Sequence, residues 1–203
     1  MRKLIFALLP ILSCATTPKE GGGSKLTAQD YAPYALGASW TYAINYLGEK
    51  GEQTITIVKE EEGYFVDDQQ GKFRHTEEGL RDPARYLIRH PLEEGNEWKV
   101  ILSASSVEHY RITSLGKPCE SHAGRFEDCL VVESKNRRDE KMTLLATFFW
   151  ARGIGLVKIE TEAEIKGKGR VPQTERSLIH YSLGPKQPPA DGADEEAPST
   201  WTK

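Results

Sequence analysis

Hydrophobic and polar residues alternate along most of the chain from residue 39 to residue 183. A period of two is typical of β-strands whose two faces meet different surroundings. The clearest example is Ser39–Tyr46, where every second residue from Trp40 onward is aromatic or aliphatic. Short segments rich in Gly, Asp, Gln and Lys separate the alternating segments, as hairpin turns do. The pattern predicts an all-β fold of about ten strands, forming a single antiparallel curved sheet or a small barrel-like domain.

The predicted strands follow one another closely. We expect them near residues 39–46, 53–57, 64–66, 72–74, 85–89, 98–102, 107–114, 130–133, 143–150, 157–165 and 175–183. The segment 143–150 is almost continuously apolar, which indicates a strand buried on both faces or inside a barrel. Residues 28–36 have room for one or two helical turns, broken at Pro33.

A motif of proline, glycine and tryptophan, P-x-x-x-G-x-x-W, occurs twice, at Pro33–Trp40 and at Pro91–Trp98. In each copy proline favours an extended start, glycine permits a turn, and tryptophan is the first inward residue of a strand. The two copies predict two similar strand starts at one rim of the sheet. They are too few to indicate a repeat protein.

Two further blocks accompany this motif, one at residues 121–132 around A-G-x-F-x-x-C and one at residues 150–157 around G-x-G-L-V. Together the blocks resemble a family of bacterial β-rich envelope lipoproteins, although His122 stands where the family has proline. The resemblance covers residues 33–159 and implies a curved antiparallel or barrel-like domain in the cell envelope. The family has no established activity, so the resemblance implies no catalytic residues.

The start of the chain has the pattern of a secretory signal peptide. Two cations precede a short apolar run from Leu4 to Leu12, which is followed by Ser13 and Cys14. The run is shorter than the roughly 20 residues that a membrane-spanning helix needs. The sequence Ile-Leu-Ser-Cys resembles the lipobox of bacterial lipoproteins, which implies cleavage before Cys14 and lipid, including palmitate, on that residue. The alternative is an ordinary secreted protein cut near Ala15.

These features divide the chain into four parts. We expect a signal peptide at 1–13, a lipidated cysteine with a flexible tether at 14–30, an antiparallel β domain at 31–183, and a disordered acidic, proline-rich tail at 184–203. Ala15 follows the cysteine where some bacteria read Asp as an inner-membrane signal, so the resemblance favours the outer membrane. The expected location is the cell envelope, with the domain facing the periplasm or the surface.

The charge balance restricts the partners of the mature chain. The 27 basic residues include Arg2 and Lys3, so a chain cut before Cys14 keeps 25 basic residues against 30 acidic ones, a net charge of −5. Nucleic acid is then a poor partner, because its binding needs a basic face. We expect contact with the membrane to come from the lipid anchor.

The two remaining cysteines, Cys119 and Cys129, would form a pair in an oxidising compartment. If residues 123–125 make a three-residue hairpin loop, His122 pairs with Phe126 and the two cysteines lie directly opposite each other. Facing positions on antiparallel strands have the separation that a disulfide needs. The pattern predicts a disulfide, and the alternative is two free buried thiols.

Residue combinations that could carry catalysis are weak in this sequence. Its five histidines are scattered singly, without the H-x-H or H-E-x-x-H spacing of metal sites. It has no G-x-S-x-G motif, and Gly153-Ile154-Gly155 lacks the third glycine of a dinucleotide-binding loop. We therefore expect no catalytic residues, no metal and no cofactor, and a protein that is not an enzyme.

Aromatic residues on the predicted strands are the candidates for ligand binding. They either fill the core or line a concavity that holds a lipid or other apolar ligand, as small barrels can. The candidates are Trp40, Tyr42, Tyr46, Trp98, Tyr110, Phe148, Trp150 and Tyr181.

The function that the sequence favours is a non-enzymatic binding or assembly module, anchored in the envelope and contacting a protein partner. Two alternatives remain open. The first is a carrier of lipid or another apolar ligand, and the second, which the sequence favours less, is an envelope hydrolase. A hollow large enough for an acyl chain would favour the carrier. A filled barrel with an exposed apolar patch or a free sheet edge would favour the protein partner.

Overall fold

The computed structural model describes residues 25–103 and 106–185. The predicted signal peptide, Cys14, the first part of the tether and the tail beyond residue 185 lie outside the described residues. The described chain contains one short helix and twelve strands: α1 Ala28–Tyr31, β1 Ser39–Tyr46, β2 Glu49–Glu61, β3 Tyr64–Asp67, β4 Lys72–Thr76, β5 Gly79–Arg81, β6 Tyr86–Arg89, β7 Glu97–Ser103, β8 Ser106–Ser121, β9 Gly124–Arg137, β10 Met142–Ala151, β11 Gly155–Ile165 and β12 Gly169–Ser182. Within the described residues, no helix has the length and apolar character that crossing a membrane requires.

All twelve strands belong to one antiparallel sheet. Its order is β6-β5-β4-β3-β2-β1-β12-β11-β10-β9-β8-β7, so β1 pairs with β2 and with β12, the last strand of the chain. The other consecutive strands are neighbours in the sheet, except β6 and β7, which are its two edges. The predicted fold class, an all-β single curved sheet, is confirmed. The strand that the sequence pattern missed is β5, because three residues are too few to show an alternation.

The two edge strands, β6 and β7, face each other, so the sheet is nearly closed into a barrel. Side chains bridge this seam. The indole N–H of Trp98 on β7 donates to the carbonyl of Tyr86 on β6, at 3.0 Å. The guanidinium of Arg85, just before β6, forms an ion pair of 3.0 Å with Glu108 on β8. Closure therefore depends on a few polar contacts in addition to the strand ladders.

The turns are tighter than the sequence suggests, and the strands are correspondingly longer. The predicted strands 39–46 and 53–57 leave six residues between them, but β1 and β2 are joined by Leu47 and Gly48 alone. Both residues have positive φ, at 50° and 96°. This is the arrangement of two-residue turns whose twist matches that of the flanking strands. The side chain of Asn45 accepts the Gly48 N–H at 3.0 Å and supports the turn.

We call the end of the barrel where β1 and β7 begin the base, and the opposite end the mouth. Both copies of the proline, glycine and tryptophan motif lead into strands that start at the base, and both tryptophans are buried, with 3% and 4% of Trp40 and Trp98 exposed. The mouth carries the β1–β2, β3–β4 and β5–β6 turns, the end of β7 and the start of β8.

The base is closed by α1, which packs against the core. Its residue Tyr31 is fully buried and donates its hydroxyl to Asp128 at 2.7 Å, while the carbonyl of Asp30 accepts the N–H of Gly153 at 2.7 Å. The backbone N–H of Ala28 donates to the side chain of His90 at 2.9 Å. Ala28 is 1% exposed although it lies in the segment 14–30 that the sequence assigns to the tether. Packing against the base gives this part of the segment a fixed structure.

The predicted disulfide between Cys119 and Cys129 is confirmed, with a Cα–Cα distance of 6.0 Å. The predicted register of this hairpin is wrong. Strand β8 pairs Ser121 with Gly124, and Lys117 rather than Cys119 lies opposite Cys129. The loop therefore has two residues instead of three, and β-bulges in β8 absorb the difference. A bulge shifts the count of residues along one strand, so counting outward from a turn gives the wrong partner.

The tip of this hairpin is attached to β12. The backbone N–H of Ala123 donates to the carbonyl of Leu178 at 2.6 Å, and the N–H of His122 donates to the hydroxyl of Ser177 at 3.0 Å. The pairing of β1 with β12 changes register at one point: Thr41 pairs with His180, but the next residue, Tyr42, pairs with Leu178. Leu178 is fully buried, whereas Leu183, the last residue of the predicted strand 175–183, lies beyond the end of β12 and is 37% exposed.

Candidate functional site

A concavity of about 680 Å³ lies inside the curved sheet, between the base and the mouth. Its volume is in the range of about 300–1,000 Å³ that is usual for small-molecule sites. The wall is mainly apolar and aromatic, because the inward residues of β1, β2, β10 and β11 all face it. The apolar and aromatic lining residues include Tyr34, Trp40, Tyr42, Ile57, Phe148 and Trp150.

The structure divides the eight aromatic candidates among three environments. Four of them, Trp40, Tyr42, Phe148 and Trp150, line the concavity. Two others stack on each other away from it, with the rings of Trp98 and Tyr110 parallel to within 6° and 5.3 Å apart. The last two candidates, Tyr46 and Tyr181, neither line the concavity nor belong to this stacked pair.

Tyr46 requires a correction to the expectation that all eight aromatics line a core or a ligand site, whereas Tyr181 borders the core. Tyr46 is 56% exposed, because the alternation of β1 continues past the point where the concavity and the core end. Tyr181 is half-buried and packs beside the cluster that contains Trp40, without lining the concavity.

Two of the lining aromatics are fixed in place by hydrogen bonds. The indole N–H of Trp40 donates to the carbonyl of Ile154, and the hydroxyl of Tyr42 donates to the carbonyl of Leu156, both at 2.8 Å. A Cβ at Gly155, which lies between these acceptors at φ 115°, would come within 3.1 Å of the Trp40 indole nitrogen. The G-x-G block thus has a packing role. It lets β11 approach Trp40 closely.

Trp150 differs from these two residues. Its side chain is 2% exposed, and its indole N–H is buried without an acceptor among the described residues. A buried donor without a partner costs about 1–3 kcal/mol relative to a satisfied one. Trp150 is therefore held by packing and not by hydrogen bonding.

Sequence reasoning missed Tyr34, which lies before β1 and not on a strand. Its ring stacks on Phe73 with centroids 4.9 Å apart and meets Trp40 edge-on at 5.7 Å. Burial raises the pKa of Tyr34, and the nearby Tyr42 and Asp67 raise it further. The phenol therefore stays protonated. The signal in the sequence was its place inside the repeated motif, directly after the proline.

Charged side chains surround the mouth of the concavity, and most of them are committed to structural contacts. Asp67 is 3% exposed and accepts the backbone N–H of Gly71 at 2.6 Å, which holds the β3–β4 turn. Arg85 forms ion pairs of 3.0 Å with both Asp82 and Glu108. Lys72 on β4 lies 4.0 Å from a carboxylate oxygen of Glu61 at the end of β2.

The seam pair of Arg85 and Glu108 also includes Tyr110. Burial acts to raise the pKa of Glu108, but the hydrogen bond from Tyr110, the charge of Arg85 and the amide of Asn136 outweigh it, and the pKa is lowered. Burial and the same hydrogen bond raise the pKa of Tyr110. Glu108 is therefore ionised and Tyr110 protonated at neutral pH, which keeps the ion pair across the seam intact.

Arg176 on β12 is different from the other cations at the mouth. Its guanidinium donates from Nη2 to the side-chain oxygen of Gln53 at 2.6 Å and lies 5.4 Å from the ring centroid of Tyr42. Among the described residues it has no carboxylate within 4.0 Å. Sequence reasoning missed it, because a single arginine on an alternating strand carries no motif.

Two of the five histidines of the described chain, His75 and His90, occupy structural positions near the base. His75 bonds through Nε2 to the carbonyl of Ala32 at 2.8 Å, and His90 bonds both the backbone of Ala28 and the carbonyl of Glu77. Within residues 25–103 and 106–185, no three His, Cys, Asp or Glu side chains are grouped as metal ligands would be. The arrangement at the concavity is therefore an apolar wall with one unpaired cation, which suits binding.

Comparison with protein-family models found no match, and comparison with curated proteins found none either. Among solved structures, the chain is similar to a protein of Bacteroides fragilis described as exported, with a YmcC-like fold. Identity is 11%, coverage is 75% of this chain and 98% of that one, and the TM-score is 0.43. It is also similar to a protein of Parabacteroides distasonis described as a lipoprotein, with 13% identity, the same coverages and a TM-score of 0.39. The function has to be inferred from the chain's own residues.

Proposed function

We propose that this chain is a lipoprotein of the bacterial cell envelope whose β domain binds an apolar ligand without catalysing a reaction. The signal-peptide pattern and the lipobox at Cys14 support the anchor. The observation that supports ligand binding is the concavity of about 680 Å³, with its aromatic wall and its opening at the mouth. Of the functions considered from the sequence, the carrier of an apolar ligand is the one that this hollow favours.

The number of strands gives a physical reason for the hollow. A closed barrel of eight strands has an interior just wide enough for its own side chains to fill, and the width grows with strand number. A nearly closed sheet of twelve strands encloses more space than its inward residues occupy. Helix α1 and the residues around it fill that space at the base, and the space nearer the mouth is left as the concavity.

An apolar chain in this concavity would gain free energy by leaving water, at about 25 cal/mol for each Å² of apolar surface removed. The wall needs little ordering to receive it, since Trp40 and Tyr42 are already held by hydrogen bonds to β11 and the preceding turn. A site that is preformed loses less conformational entropy on binding than a flexible one. The combination favours a ligand with a long apolar part.

A protein partner at the mouth is the second candidate. Its specific support is a pair of exposed apolar residues at the end of β7, where Ile101 is 78% and Leu102 is 42% exposed, and a second pair at the β1–β2 turn, where Tyr46 and Leu47 are 56% and 60% exposed. Exposed apolar surface of this kind marks contact sites in soluble domains. Such a partner could deliver the ligand or receive it.

The ligand proposal is tested with the full chain carrying Cys14→Ser and the neutral apolar probe N-phenylnaphthylamine, whose fluorescence rises in an apolar site. We expect saturable binding to the unmodified concavity. Ile159→Trp, which adds volume to the lining of the concavity, should weaken the signal strongly. The matched control is Val58→Trp on β2, a residue 54% exposed that does not line the concavity, and it should bind as before.

Two results would overturn the ligand proposal. One is no saturable signal from the unsubstituted domain, and the other is equal binding by the Ile159 and Val58 variants when both show cooperative unfolding. The anchor is tested separately by incorporation of labelled palmitate in bacteria. Incorporation should require Cys14, and label that persists in Cys14→Ser would contradict the lipoprotein assignment.

A further inference from the structure

We propose that the ligand is a single-chain amphiphile with a carboxylate headgroup, a long-chain fatty acid, and that Arg176 binds this headgroup at the mouth. The proposal rests on the proposed function of the concavity and adds the chemical class of the ligand. It is carried by the contacts of Arg176 and by the balance of charge among the residues that line the site.

Arg176 lies where an extended ligand would leave the apolar wall. On β12 it pairs with Ile44 of β1 and with Ile159 of β11, so aliphatic residues flank it on both neighbouring strands. Its side chain is half-buried, over the ring of Tyr42. Partial removal from water strengthens the attraction between a guanidinium and an anion. The position therefore joins an apolar surface to one cation.

The hydrogen bond to Gln53 holds the guanidinium without neutralising it. Arginine has five N–H donors, and the contact with Gln53 of 2.6 Å uses one of them. The remaining donors keep the planar fork that matches a carboxylate with two parallel hydrogen bonds. Gln53 is a neutral acceptor, so the full positive charge of Arg176 stays available to a ligand.

Of the three cations that line the concavity, two have a carboxylate partner and Arg176 has none among the described residues. The described lining residues include three cations and two carboxylates, namely Lys72, Arg85, Arg176, Asp67 and Asp82. Arg85 is paired on both sides, Asp67 is bound to backbone N–H groups, and Lys72 approaches Glu61 at 4.0 Å. Arg176 is the cation of this set that no carboxylate neutralises.

A single negative charge fits one unpaired cation better than a double negative charge does. A phosphate monoester would bring close to two negative charges to a mouth that offers one free cation and already holds Asp67 and Asp82. An uncharged headgroup would leave Arg176 without a counter-charge. A carboxylate satisfies the cation, faces water at the mouth and lets its alkyl chain extend along the aromatic wall toward the base.

The test uses displacement of N-phenylnaphthylamine from the full chain carrying Cys14→Ser. The competitors have one chain length and three headgroups, as dodecanoate, dodecanol and dodecyl phosphate, each below its critical micelle concentration. We expect dodecanoate to compete at about a tenfold lower concentration than dodecanol, as a charge-assisted hydrogen-bonded pair predicts. Arg176→Gln should remove this preference, and Arg176→Lys should restore part of it.

Arg170→Gln is the matched control on the same strand. Arg170 is exposed, contacts Glu162 and Glu164, and does not line the concavity, so the preference for dodecanoate should survive its removal. If the probe does not bind at all, the proposed function itself fails. If the probe binds but dodecanoate and dodecanol compete alike, or if the preference survives Arg176→Gln, this inference is overturned and the apolar site stands. Stronger competition by dodecyl phosphate would overturn the assignment of a carboxylate.

Discussion

The base and the mouth of this barrel contain the same kinds of aromatic residue, which have different roles at the two ends. At the base Tyr31 and Trp98 are buried, and each donates its polar hydrogen to a partner within the protein. Along the concavity Phe148 and Tyr34 are only half-buried, and their rings face a hollow. The same alternation of residues thus produces a filled core at one end and an open site at the other.

The difference comes from α1, which adds side chains that the strands do not supply. Ala28 and Tyr31 fill the interior at the base. The backbone of the helix is held by Gly153, whose N–H donates to the carbonyl of Asp30, and by His90, which accepts the N–H of Ala28. One short helix can fill one end of a barrel. The alternation of a strand fixes which residues point inward, and whether they meet one another depends on what else enters the barrel.

The largest effect that would test this comparison is expected from truncating one aromatic residue at each end. Trp98→Ala should destabilise the domain by about 3–5 kcal/mol, because it leaves a cavity in a filled core and frees the carbonyl of Tyr86. Phe148→Ala should cost clearly less, since its ring already borders open space. Urea unfolding of the two variants measures both losses in the free energy of unfolding. Equal losses would mean that the mouth is packed as tightly as the base.

The next effect is expected from the disulfide, which stabilises the domain without lining the concavity. Cys119→Ala with Cys129→Ala should lower the free energy of unfolding by about 2–3 kcal/mol, since a crosslink over ten residues restricts the unfolded chain. Binding of N-phenylnaphthylamine should be unchanged at a temperature where the variant is folded. Reductant should shift the unfolding of the wild-type domain and leave the variant unaffected. Loss of probe binding in the folded variant would link the hairpin to the mouth.

The smallest effect is expected from pH and should come from the base. Burial lowers the pKa of His75 and the nearby His90 lowers it further, against the opposing hydrogen bond to Ala32. The unfolded chain therefore takes up this proton first, and the stability due to neutral His75 is complete above about pH 6.5 and falls as the pH drops below it. His75→Gln, which keeps a donor for the Ala32 carbonyl, should reduce this loss. The measurement is the free energy of unfolding in urea above and below that pH. An equal decrease with falling pH in the variant and the wild type would contradict the assignment.

The sequence by itself determined the fold class, most of the strands and the partners of the disulfide. Alternation with a period of two is a local property, so segments such as Ser39–Tyr46 and Lys72–Thr76 could be recognised without knowledge of their neighbours. The pairing of Cys119 with Cys129 needed only that two cysteines lie on adjacent strands of one hairpin. Their register did not follow, because a bulge is a response to twist and packing.

Only the tertiary structure decided which end of the barrel is filled and which residues meet at its mouth. Arg176 and Gln53 are separated by 123 residues and become neighbours because β12 and β2 both pair with β1. Tyr34 faces the concavity from a loop, where the period of a strand gives no information. Local patterns fix the direction of each side chain relative to its own strand, whereas closure of the sheet and the placement of α1 depend on contacts between distant parts of the chain.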